Sequence, residues 1–164
     1  MTPSPVDPTH VRRCVQLARE ALDAGDEPFG SVLVDAEGAV LFEDRNRVSG
    51  GDSTRHPEFT IVEWAVRHLS ADQRARATVY TSGEHCPMCS AAHAWVGLGD
   101  IVVAVTSAQL AAWQQEWNLP TGPVAPLPIT AVAPGVRVHG PVDEVTEEMR
   151  SLHRRAAGRS QSDA

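Results

Sequence analysis

From Pro8 to Ala24, apolar residues recur three or four positions apart at Val11, Cys14, Val15, Ala18, Ala21 and Leu22, which is the spacing of one helix face. Asp7 and Pro8 form a start signal and Gly25 a stop. Ser31–Asp35 and Val40–Glu43, joined around Glu37-Gly38, then read as a β-hairpin. A loop rich in Ser, Gly and Asp leads from Asn46 to a helix at His56, whose inward side chains are expected to be Phe59, Val62, Ala65, Val66 and Leu69. Ala77–Thr81 has the look of a short buried strand, Pro87 to about Leu98 of a helix, Asp100–Thr106 of a β-branched strand, and Ser107–Trp117 of another helix. Strands alternating with helices predict an α/β fold, a sheet covered on both faces.

Beyond Trp117 the pattern is lost. Prolines at 120, 123, 126, 128 and 134 interrupt any long element until Gly135–His139 offers a short strand. Residues 141–155 predict a charged final helix, and 156–164 a disordered tail. The 164 residues suit a single domain over 1–164 with its core at about 8–155.

Two motifs thirty positions apart carry the chemistry: His56-Pro57-Glu58 and Cys86-Pro87-Met88-Cys89. Cys86 and Cys89 share one face of a helical turn and can grip one ion as thiolates, with His56 as a third ligand. Three protein ligands leave a tetrahedral position for water, as in catalytic rather than structural zinc sites. His56 and Glu58 are two apart, so mid-helix they would point to opposite faces. Pro57 and Pro87 instead place both motifs at helix N-termini, where cap and first-turn side chains can converge. Glu58 is then a spare acid able to carry protons.

Other readings of the same residues stay open on spacing alone. A Cys-x-x-Cys can be a redox pair, but that leaves His56 and Glu58 idle. His85 and His93 could instead close a local structural zinc site with the cysteines. Asn46 is by composition a turn residue, and Glu84 and Glu116 read as exposed acids. Trp113 and Trp117, four apart on one helical face, suit core packing as well as recognition.

The order Glu27-Pro28-Phe29-Gly30-Ser31-Val32-Leu33-Val34, Asn46, His56-Pro57-Glu58 and Tyr80-Thr81-Ser82-Gly83-Glu84-His85-Cys86-Pro87-Met88-Cys89 resembles the zinc-dependent cytidine deaminase superfamily, in the branch of guanine deaminases and tRNA adenosine deaminases. The resemblance covers roughly residues 8–120. It implies a three-layer α/β/α fold with a central mixed sheet, zinc on His56, Cys86 and Cys89, and Glu58 as the catalytic proton shuttle. It further implies a substrate pocket using Asn46 for the ring edge and Phe29 and Trp95 as walls; by residue type and position, Glu84, Trp113 and Trp117 are further candidates. Homodimers are the rule in this family. Three features depart from the pattern. Pro57 stands where Ala is commoner, and His85 stands where Pro precedes the first Cys, a position expected to be a surface histidine. No aromatic follows Trp117, so the C-terminal aromatic that covers the base in guanine deaminases of this branch must be replaced.

Charge narrows the partners. Twenty-one acidic against fourteen basic residues leave a net charge of −7, whereas phosphate-rich partners need a basic surface. A small molecule is expected rather than tRNA or DNA. With two of three cysteines in the metal motif and Cys14 on a helix face, no disulfide framework is expected. The polar N-terminus shows no signal peptide, and no run approaches the roughly 20 apolar residues of a membrane span, so the expected location is cytoplasmic. The expectation is hydrolytic deamination of a free nucleobase or related aminoheterocycle, with guanine, cytosine and amino-triazines open and no organic cofactor. Alternatives are deamination of a nucleoside or of tRNA adenosine, or a non-catalytic protein that keeps zinc for stability or binds a base.

Overall fold

Every residue of strand β1 (Gly30–Val34) is buried, which a strand achieves only when both faces of its sheet are covered. The computed structural model, which describes residues 6–162, shows that cover. Helix α1 (Pro8–Asp23) precedes β1; β2 (Val40–Arg45), a 3-10 turn (Val48–Gly50), α2 (Pro57–His68), α3 (Ala71–Arg76) and β3 (Thr78–Thr81) follow. The chain continues through α4 (Pro87–Trp95), β4 (Ile101–Val103), α5 (Ser107–Glu116), α6 (Ile129–Val132), β5 (Val138–His139) and α7 (Asp143–Ser162). The sheet has the order β2-β1-β3-β4-β5. β1 is antiparallel to both β2 and β3, while β3, β4 and β5 run parallel.

Strand alternation divides the core. Val32 and Val34 of β1, Tyr80 of β3 and Val102 of β4 pack with α1, Trp113 of α5 and α7. Leu33 and Val79 face the other way, against Ile61, Val62 and Ala65 of α2 and Ala92 of α4. Ile101 and Val103 meet Ile129 and Ala133 around α6. This is the expected three-layer α/β/α arrangement with a mixed sheet. By the same parity Ser31 and Thr81, paired across β1 and β3, lie on the α2 face.

Three elements differ from the pattern reading. The inward stripe of α2 is Ile61, Val62 and Ala65, while Val66 is 52% exposed; anchoring His56 and Glu58 at the helix start rotates the stripe. α3 escapes periodicity because it is one short helix set by a capping box, Ser70 with Gln73. The tail expected from residue 156 instead continues α7 to Ser162: Ala157 is buried, and Arg159 bonds the Leu22 carbonyl at the end of α1. Residues 163–164 of that tail and the first five residues read for a leader lie outside the described residues. No helix among the described residues is long and apolar enough to cross a membrane.

Two predictions follow from the packing. A methyl group at Gly30 would lie 2.6 Å from the Cys14 carbonyl oxygen and 2.8 Å from the Ala18 nitrogen, backbone that cannot turn aside. Gly30→Ala should therefore cost about 1–3 kcal/mol, read as a lowered midpoint in urea unfolding. His153 is buried edge-on to Phe29, with ring centroids 5.1 Å apart, and its Nε2 has no partner among the described residues. Burial lowers its pKa from 6.5 to about 4. Between those values the unfolded chain binds a proton that the folded one does not, so stability falls as pH drops through this window. His153→Phe should flatten that acid limb, measured by thermal melts from pH 7 to 4.

Candidate metal centre and cavity

His56 is the N-cap of α2 and Cys86 the N-cap of α4, each followed by Pro at the first helical position. Proline suits that place because its missing N–H has no helical partner to lose. Neither side chain makes a capping hydrogen bond, and both face one point. Cys89 in the first turn of α4 faces the same point. The ligand atoms of His56, Cys86 and Cys89 all lie within 4.8 Å of one another.

The donor set fits zinc. His56 Nδ1 stands 3.5 Å from Cys86 Sγ and 3.6 Å from Cys89 Sγ. Tetrahedral zinc with bonds near 2.3 Å to sulphur and 2.0–2.1 Å to nitrogen sets such pairs about 3.6 Å apart. The thiols also compete for one proton. A hydrogen bond from Cys89 draws the Cys86 thiol down to about 4, and the bond to Cys86 together with burial drives Cys89 up. A cation removes that conflict by neutralising both sulphurs, and two unpaired helix N-termini favour the anions. A hydrogen bond to the Ser53 backbone holds the imidazole, the kind of support that fixes a metal-binding tautomer.

Glu58, second residue of α2, is 5% exposed, and burial raises its pKa. Its Oε1 lies 3.0 Å from Thr81 Oγ1 and 3.3 Å from Ser31 Oγ. Its Oε2 faces Cys89 Sγ at 3.9 Å. The Thr81 hydroxyl also lies 2.9 Å from the Gly83 carbonyl and 2.9 Å from Ser31 Oγ. With one hydrogen to give, Thr81 donates to either Glu58 or the Gly83 carbonyl; when it serves Gly83, the Ser31 hydroxyl can donate to Glu58. One carboxylate oxygen is thus held by hydroxyls and the other is turned to the metal ligands.

A cavity of about 190 Å³ opens on Glu58, His56 and Cys86. Phe29, Pro87, Leu110 and Ala111 form much of its wall, Val124–Leu127 lie across it, and Asn46, Glu84, Ser107 and Gln114 add polar groups. Gly83 makes room for the aromatic wall, since a Cβ there would lie 2.8 Å from Phe29 Cε1. Asn46 is buried, and its Oδ1 accepts from the backbone N–H groups of Glu27 and Val48. Its amide N–H₂ is left to the cavity, so it offers a donor where the sequence reading expected donor and acceptor together.

Four expected substrate contacts are placed differently. Trp95 is 86% exposed and not on the cavity, because α4 ends there and its inward face is spent on the metal loop and Ala92. Trp113 is buried in the core beneath α1 and α7. Trp117 packs on that core with Arg150 and Arg154 against its ring. Glu84 reaches the cavity, but Oε2 accepts from Ser107 N–H and Oε1 from Ile129 N–H, each at 2.7 Å. His85 is buried rather than on the surface; its ring meets His93 with centroids 5.5 Å apart, and both lie outside the metal cluster. His93 instead bonds the Gly99 carbonyl at 2.8 Å. Sequence reasoning missed Ser31, Thr81, Gln114 and the 124–127 segment. The signal for the first two was a hydroxyl inside an otherwise apolar buried strand.

A model of the cytidine and deoxycytidylate deaminase zinc-binding region matches residues 5–105. The probable cytosine deaminase of Schizosaccharomyces pombe is 32% identical over 104 residues, 63% of this chain and 63% of the relative. The guanine deaminase of Bacillus subtilis is 42% identical over 89 residues, 53% of this chain and 56% of the relative. The chain thus spans 63% and 56% of the length of these curated relatives. The solved guanine deaminase of Nitrosomonas europaea superposes with a TM-score of 0.70 over 93% of this chain and 85% of its own; at 21% identity that likeness shows the fold. The chain belongs to the cytidine and deoxycytidylate deaminase zinc-binding family.

The purified protein should retain one zinc per chain through dialysis, and Cys89→Ser should lose it, as read by metal analysis. Retention of full zinc by Cys89→Ser would exclude Cys89 as a ligand.

Proposed function

Taking that family membership as premise, we propose that the protein hydrolytically deaminates a free nucleobase or base-like aminoheterocycle. The observation that carries this reading is a buried carboxylate, Glu58, set between a three-ligand metal cluster and a small cavity. At about 190 Å³, the cavity is smaller than the roughly 300–1,000 Å³ of drug-sized sites. Among the described residues no Arg lines it, so a phosphate would find no guanidinium there. Both facts favour a free base over a nucleotide or polynucleotide. The cytosine and guanine deaminases among the relatives support one-ring and two-ring substrates alike.

In the reaction the ring carbon's bond to its amino group breaks, a carbonyl replaces it with oxygen from water, and ammonia leaves. Zinc, when bound, would be held by His56, Cys86 and Cys89 and would supply the Lewis acidity that brings a water's pKa toward neutrality. Glu58 moves the protons. Its Oε1 is fixed by the hydroxyls of Ser31 and Thr81, so Oε2 takes a proton from the attacking water and passes it to the adjacent ring nitrogen. The same oxygen later serves the departing amine. A raised pKa suits this work, because the carboxyl must hold the proton as well as release it. Asn46 directs its N–H₂ at an acceptor on the ring edge, and Phe29 supports the ring.

The exposed indole of Trp95 and the exposed Val66 lie on the helices that carry the metal motifs. They support a second copy of the chain packing there, the homodimer implied by family resemblance.

The decisive assay is ammonia release from guanine, cytosine, isocytosine, an amino-triazine, cytidine and guanosine by zinc-loaded protein. Release from free bases but not nucleosides is expected, and nucleoside turnover alone would overturn the substrate class. Glu58→Gln should lower turnover about 10²–10⁴-fold with zinc content unchanged; undiminished turnover would remove Glu58 from its role.

A further inference from the structure

The segment across the cavity has almost no framework of its own. Between Trp117 and Ile129 four of its residues, 120, 123, 126 and 128, are prolines without an N–H. Among the described residues, the backbone N–H groups of 118–128 that bond main chain reach only Gln114 and Gln115, at its start, and Ala125, within it. Beyond those two bonds to the end of α5, no backbone N–H of 120–128 among the described residues reaches the sheet or another helix. Its far end is different. The Ile129 N–H donates to Glu84 Oε1 at 2.7 Å, while Glu84 Oε2 accepts from Ser107 N–H at the start of α5. Glu84 stands two residues before Cys86, so a single carboxylate ties the strap's end and the first turn of α5 to the metal loop. The parts of the strap over the cavity are aliphatic: Val124, Ala125, Pro126 and Leu127.

We infer that Glu84 is a positioning residue for a lid, pinning the 118–128 strap so that Val124–Leu127 form an aliphatic ceiling over a planar, uncharged ring opposite Phe29. Both carboxylate oxygens are committed to backbone, so Glu84 acts through the strap rather than on the ligand. Charge-assisted bonds to main-chain N–H groups are strong enough for this duty, and loss of either partner would leave an unsatisfied group at the cavity edge. The proposed deamination supplies the kinetic readout, whereas the pin itself is testable without turnover.

The experiment compares zinc-loaded wild type, Glu84→Ala and Glu84→Gln by amide hydrogen exchange, zinc content and steady-state kinetics on whichever base is turned over. Glu84→Ala should speed exchange at Ser107 and Ile129 about tenfold or more while zinc stays bound. KM should rise about tenfold with kcat within about threefold, and Glu84→Gln, which keeps one acceptor oxygen, should recover part of the loss. Unchanged exchange at Ile129 would overturn the pin. A fall in kcat at constant KM would overturn the positioning role. Should Glu84→Ala fail to fold, the double variant Val124→Ala/Leu127→Ala tests the ceiling directly, because these side chains are 59% and 46% exposed and dispensable to the core. It should raise KM without altering exchange at Ser107, and an unchanged KM would overturn the lid. If no base in the panel is deaminated, the deaminase reading fails, while loss of protection at Ile129 in Glu84→Ala still decides the pin.

Discussion

Two helices that begin at the same point are the constraint on which this molecule depends. α2 and α4 each spend an N-cap side chain, His56 and Cys86, on a common centre instead of on their own backbone. Forgoing a cap costs a helix about 1 kcal/mol, and thiolates packed this closely repel. A cation offsets both, and the exposed N–H groups of the helix ends add to its effect on the sulphurs. The proline after each cap follows from the same need, since it starts the helix without requiring a partner for its nitrogen. The sheet holds the geometry in place: Leu33 and Val79 pack beneath α2 and α4, so the metal centre rests on core packing rather than on loops.

Around that centre the chain separates proton chemistry from substrate enclosure. Glu58 is isolated from solvent and shares its Oε1 with two strand hydroxyls, Ser31 and Thr81. Those residues are neighbours only because β1 and β3 pair antiparallel in this register; a slip by one residue would turn one of the two to the opposite face of the sheet. Enclosure comes from different material. Phe29 lies against Gly83, and residues 124–127 of the proline-rich strap also line the cavity. On the proposed reading, a ceiling of small aliphatic groups adds contact area without polar demands, which leaves the selection of a ring to Asn46 and Gln114.

The metal motifs were legible because their physics is local. Ligand spacing within a turn, proline at a first helical position and an acid two residues past a histidine all act within a few residues, and each stands in the chain as written. The order of helices and strands was legible for the same reason, through periodicity. α3 was not, since six residues fixed by a cap carry no period. The continuation of α7 past residue 156 was not, because its causes are the burial of Ala157 and the bond of Arg159 to Leu22 of α1, 137 positions away along the chain.

By itself, then, the sequence determined the alternation of elements, the metal ligands and the acid beside them. Only the tertiary structure decided what each aromatic and acidic candidate does. Trp95, Trp113, Trp117 and Glu84 are all plausible contacts by type, yet the fold leaves the first in solvent, uses the next two for packing, and engages Glu84 with two backbone amides. The physical reason is range. A ligand set is written in short spacings, whereas a cavity wall is assembled from strands, helix faces and a strap separated by up to a hundred residues, and which side chains meet there depends on the register and packing of all of them together.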